Sequence, residues 1–176
     1  MLEFIEHPGA AQLIHVNVNC SDIERSCEWY ERVLGLTVRG SSSPGPVSGA
    51  AFGIAGDVEW DARFLFVPGR DDFAIDLLEW KKPRPIGRPY ANANHLGLYR
   101  LAFLVEDAHA SFEELVRLGI ECDPPAKLDM GPSIPIDGVH ALFFSDPDGT
   151  CLELIETPKL QPAADPEAPR LSRSPG

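Results

Sequence analysis

From Leu13 to Asn19 apolar and polar side chains alternate, with His15, Asn17 and Asn19 on one side and Ile14, Val16 and Val18 on the other. That is the period of a half-buried strand. The period then changes: Ile23, Cys27, Tyr30 and Leu34 fall at helical spacing and make one apolar stripe. Ser21 with Glu24 three residues on has the form of a capping box, and Gly35 supplies a stop. The same order returns later in the chain. Tyr99–Val105 is an extended apolar run, Asp107 is a candidate N-cap, and Ala108, Phe112 and Leu115 repeat the stripe as far as Gly119. Asp22, Ser26 and Glu28 recur at the spacing of Asp107, Ser111 and Glu113, and Leu34-Gly35-Leu36 recurs as Leu118-Gly119-Ile120.

Each copy closes with strands. Arg63–Val67 and Phe73–Glu79 end the first; Val139–Phe144 and Thr150–Glu156 end the second. The chain therefore contains two βαβββ modules, over residues 12–80 and 97–157, joined by a proline-rich linker over residues 81–96. Residues 1–11 form an N-terminal arm. Ser41–Gly49 has loop composition throughout, and neither Arg39–Ala51 nor Cys122–Gly138 carries a readable period. Residues 158–176 are rich in Pro, Ala and charge, which predicts a disordered tail.

Composition narrows the function classes. With 176 residues, 44% hydrophobic, the chain suits one domain. A net charge of −12 argues against nucleic acid and anionic membrane partners, both of which require clustered Lys and Arg. No run is long and apolar enough to cross a bilayer, and the first ten residues lack the plan of a signal peptide, so the expected location is the cytoplasm. Cys20, Cys27, Cys122 and Cys151 have no paired spacing and read as core residues or idle thiols.

Two runs carry a resemblance. Trp29–Leu36 (WYERVLGL) is similar to the helix-end signature of the vicinal oxygen chelate superfamily, which includes glyoxalase I, extradiol dioxygenases and bleomycin- and fosfomycin-resistance proteins. Ser145–Leu154 (SDPDGTCLEL) resembles that superfamily's hairpin into its last strand. The resemblance covers about residues 12–157 and implies an α+β fold: a cup of curved sheet with helices outside, commonly a homodimer, with a small-molecule site inside. In metal-dependent members the ligands come from the first and last strands of each module. By position these are His15, Asp76, Arg100 and Glu153.

Arg100 departs from that pattern. A guanidinium has no lone pair to offer and repels a divalent cation at short range. Three readings follow. A divalent Fe, Mn or Zn could still be held by His15 and Glu153, with Asp76 or with His140 as the rescuing ligand. Alternatively Arg100 replaces the metal, pairing with Asp76 or Glu153 and stabilising an anion while His15 or a carboxylate serves as base; this metal-free reading is preferred. In the third, the cup only binds, as drug-sequestering members do. Asn17, Asn19, His140 and Trp80 would touch the ligand, with Trp60 a further lining candidate. Arg100 and Glu153 could equally be an ion pair that fixes strand register. Asp146 and Asp148 read as turn residues, and Glu79 stays a spare carboxylate. The expected function is proton-transfer, isomerase, lyase or ring-modifying chemistry on a small oxygen-rich molecule.

Overall fold

The computed structural model describes residues 12–131 and 138–158. The N-terminal arm expected over residues 1–11 lies outside the described residues, as does all of the expected tail but Pro158. The chain forms two compact units. Of the described residues, one comprises 12–95 with Asp146–Thr150, the other 96–131, 138–145 and 151–158.

The first unit contains β1 (His15–Asn19), α1 (Ile23–Leu34), β2 (Thr37–Ser42), β3 (Val47–Ser48), a 3₁₀ turn (Gly49–Phe52), β4 (Asp57–Phe66) and β5 (Ala74–Lys82). Its sheet runs β1-β5-β4-β2, with β3 paired to β4. β1 lies parallel to β5, which requires a crossover connection, and α1 begins it. The remaining pairs are antiparallel. In α1 the stripe residues Ile23, Cys27 and Tyr30 are buried as predicted, Leu34 is half-buried, and Ser26 and Trp29 are buried beside them. Burial pushes the Cys20 and Cys27 thiols up to about 12 and about 11, so neither is a ready nucleophile.

The second unit repeats the plan: β6 (Arg100–Leu104), α2 (Ala108–Arg117), β7 (Ala126–Lys127), β8 (His140–Ser145) and β9 (Cys151–Glu156). Its sheet runs β6-β9-β8-β7, again with first and last strands parallel. Asp107 caps α2, its side chain accepting from the Ala110 N–H at 2.9 Å. The α+β class and the two-sheet composition agree with the sequence reading.

Two local expectations need correction. The serine-rich stretch is not loop throughout, because Ser41 and Ser42 pair with Arg63 and Ala62 at the end of β2. Pairing to a long neighbouring strand overrides a composition that favours turns. The cap of α1 is Asp22 rather than Ser21: Asp22 Oδ1 accepts from the Arg25 N–H at 3.0 Å. Ser21 is engaged elsewhere, its hydroxyl donating to Asp148 Oδ1 at 2.7 Å and its N–H to Oδ2 at 2.9 Å.

The Asp-Pro-Asp-Gly turn groups with the first unit for the same reason. Arg25 adds an ion pair to Asp148 at 2.7 Å. Buried Asp146 accepts from the Tyr30 hydroxyl at 3.0 Å and from the N–H groups of Asp148 and Thr150. Both acids hold a turn, as their sequence context suggests.

Candidate functional site

Alternation along β5 separates two kinds of side chain. Glu79 faces α1 and is 5% exposed, accepting from the Ile23 N–H at the start of that helix, from Lys81 at 2.6 Å and from Arg84 at 2.7 Å. Burial opposes its ionisation, but Lys81, the Ile23 N–H and Arg84 outweigh that and hold its carboxyl below the usual range. The spare carboxylate is thus engaged at the helix and unavailable to a site on the other face.

That other face carries Asp76, Leu78 and Trp80 from β5, His15 and Asn17 from β1, and Trp60, Ala62 and Phe64 from β4. With Ser42 and Phe52 they line a pocket of about 450 Å³. Phe52, Trp60 and Trp80 form one aromatic wall, with ring centroids 5.3, 5.4 and 5.7 Å apart. The Trp80 indole N–H donates to Asn19 Oδ1 at 3.1 Å, which fixes the ring. Sequence reasoning raised Trp60 and Trp80 but missed Phe52, which sits in a segment without period. Its position comes from the 3₁₀ turn, where Gly49 donates to Gly56 O and accepts from the Ile54 N–H.

Asp76 is the carboxylate in this pocket. Its Oδ2 accepts from Asn17 Nδ2 at 3.1 Å, while its Oδ1 is buried with no hydrogen-bond partner among the described residues. Burial raises its pKa above the usual range, against the opposing effects of the Asn17 hydrogen bond and of His15. Asp61, Asp72, Glu79 and Asp148 each pair with a Lys or Arg. Among the described residues, no Lys or Arg forms such a pair with Asp76.

In the second unit, Arg100 Nε donates to Glu153 Oε2 at 2.6 Å. Glu153 is 2% exposed, and the guanidinium also lies 5.5 Å from the centre of the Phe143 ring. His140 does not share that face. It pairs in register with Glu156, its ring lies 5.7 Å from that of His109 on α2, and Glu156 accepts from the Ala108 N–H of the same helix. Glu153 is opposite Phe143, one strand position out of phase with Glu156. His140 therefore cannot join Glu153 as a ligand, because successive strand residues point to opposite faces.

A metal does not fit this donor set. The Arg100 guanidinium bonds Glu153 Oε2 and would repel a cation brought to that carboxylate. Among the described residues, no three His, Cys, Asp or Glu side chains are grouped to hold an ion. No helix of the described residues is long and apolar enough to cross a membrane.

Two repeated βα modules, each with its first and last strands parallel, define the fold class, and the first of them walls an apolar pocket. The family is explicit in the sequence: residues 12–154 match the model of the Glyoxalase/Bleomycin resistance protein/Dioxygenase superfamily, and the chain belongs to it. A solved glyoxalase family protein from Bacillus cereus is 19% identical, with a TM-score of 0.69 over 87% of this chain and 98% of that one. An antibiotic binding protein from Streptomyces sp. CB03234 is 22% identical, with a TM-score of 0.57 over 86% of this chain and 99% of that one. A glyoxalase I mutant from Zea mays is 18% identical, with a TM-score of 0.56 over 82% of this chain and 44% of that one. At these identities the shared property is the fold. No curated protein matches the chain.

Proposed function

We propose that this protein is a small-molecule binding protein that captures its ligand in the pocket of the first unit. The observation that carries this is the wall of Phe52, Trp60 and Trp80 beside the Asp76 carboxylate in about 450 Å³. Mostly apolar concavities with few polar groups are what small ligands select. The fold is compatible, since a protein sharing it binds an antibiotic. The reading is tested by titrating a compound that quenches tryptophan emission and then following the compound itself. Capture predicts saturation at one equivalent per chain and recovery of unchanged ligand.

A second reading keeps the family's enzymatic side without a metal. A half-buried carboxylate held toward its protonated form, next to His15, supports general acid–base chemistry on a small oxygen-rich molecule, of the isomerase, lyase or ring-modifying kind. Arg100 is bonded to Glu153 through Nε, and a guanidinium carries further N–H donors of the kind an anion takes. Conversion of many equivalents of ligand per chain would favour this reading and defeat simple capture. A homodimer belongs to both readings, and sedimentation velocity checks it.

A further inference from the structure

Asp76 combines features that rarely persist together in a folded protein. Among the described residues its Oδ1 is a buried acceptor without a donor, and leaving a buried polar atom unmatched is costly. Its charge has no Lys or Arg partner among the described residues, although other carboxylates of the unit have one. The base that acts on it, His15, is exposed, so its charge is screened by solvent. Both deficits are of one kind: among the described residues Oδ1 lacks a donor, and the carboxylate lacks a Lys or Arg.

We propose, resting on the binding reading above, that the ligand is an organic cation: a protonated amine on a flat apolar body. Its N–H⁺ donates to Asp76 Oδ1, supplying donor and counter-charge together. The body lies against Phe52, Trp60 and Trp80, whose π faces attract a cation as well as apolar surface. Leu78 and Phe64 extend the apolar lining. A neutral phenol would satisfy Oδ1 but leave the charge unmatched, and an anion would be repelled by it. The chain's net charge of −12 also favours the approach of a cation over that of an anion.

Two probes of the same shape separate these cases: 2-naphthylmethylamine, cationic at neutral pH, and 2-naphthylmethanol, which is neutral. Binding is followed through the indole N–H signals of Trp60 and Trp80 in nitrogen-labelled protein. The amine is expected to bind about tenfold or more tighter than the alcohol. Asp76→Asn should reduce amine affinity by about tenfold or more and alcohol affinity by much less, since the alcohol gains only a neutral hydrogen bond there. Equal binding of the two probes to the unaltered protein would overturn the cation inference and leave the pocket reading standing. Amine affinity unaffected by Asp76→Asn would overturn it as well. If neither probe moves either indole at millimolar concentration, the pocket reading fails and takes the inference with it.

Discussion

Arg100 and Glu153 are 53 residues apart in sequence yet share a 2.6 Å hydrogen bond, with the Glu153 side chain 2% exposed and the Arg100 side chain 42% exposed. They stand on adjacent parallel strands, two register positions apart, so the pair ties β6 to β9. The position that breaks the superfamily's metal pattern therefore has a structural partner.

The first prediction concerns that pair. Arg100→Met leaves Glu153 buried without its cation and should destabilise the protein by on the order of 3 kcal/mol, at the low end for such pairs because Arg100 is partly solvated. Arg100→Met combined with Glu153→Leu should recover most of the loss. Urea unfolding of both variants measures it; a single variant as stable as the parent would show that the pair contributes nothing.

Acid should loosen the turn at Asp146–Thr150. Burial raises the Asp148 pKa, but Ser21, through its hydroxyl and N–H, and Arg25 overcome this and hold it below the ordinary 3.8. A lowered folded pKa means that its stabilisation is complete above about pH 4 and is lost as pH falls through the folded value. Asp148→Asn should flatten the dependence of melting temperature on pH below about 4. A curve of unchanged slope would remove Asp148 from the account.

Gly49 has no room for a side chain. A Cβ there would lie 2.6 Å from Ile54 O and 2.8 Å from Val58 Cγ1, both within the fold rather than at a flexible tip. Gly49→Ala should displace the turn carrying Phe52, cost about 1–3 kcal/mol, and weaken binding of any aromatic ligand. Thermal melts with tryptophan fluorescence report both effects together.

Asp76 should behave in the opposite sense to Asp148. Its folded pKa is raised, so relative stabilisation is present below the unfolded value and lost as pH rises through the folded one; at neutral pH it is a burden. Asp76→Asn is accordingly expected to melt no lower than the parent while losing affinity for a cationic ligand. Stability retained with binding lost is the pattern of a residue kept for function. A large drop in melting temperature would mark Asp76 as structural instead.

Much of this protein is legible from local pattern. The duplicated βα plan, the stripes of α1 and α2, the cap at Asp107 and the stop at Gly35 all depend on residues within one turn of each other, where period and side-chain chemistry suffice. His15, Asn17 and Asn19 on one strand face follow from alternation alone. What local pattern could not supply was pairing. The serines at the end of β2 became strand because β4 lay beside them, and Ser21 gave up the cap because Asp148, over a hundred residues away, took its hydroxyl. Register placed Glu153 opposite Phe143 and His140 opposite Glu156, which puts the histidine on the helix side. The same long-range contacts decided which carboxylates are matched: Glu79 meets Lys81, Arg84 and the start of α1, Glu153 meets Arg100, and Asp76 meets no Lys or Arg among the described residues. Sequence alone determined the modules and the residues that could carry chemistry. Tertiary structure alone decided which of those residues is left with an unmatched charge, because pairing depends on register and facing that no local period encodes.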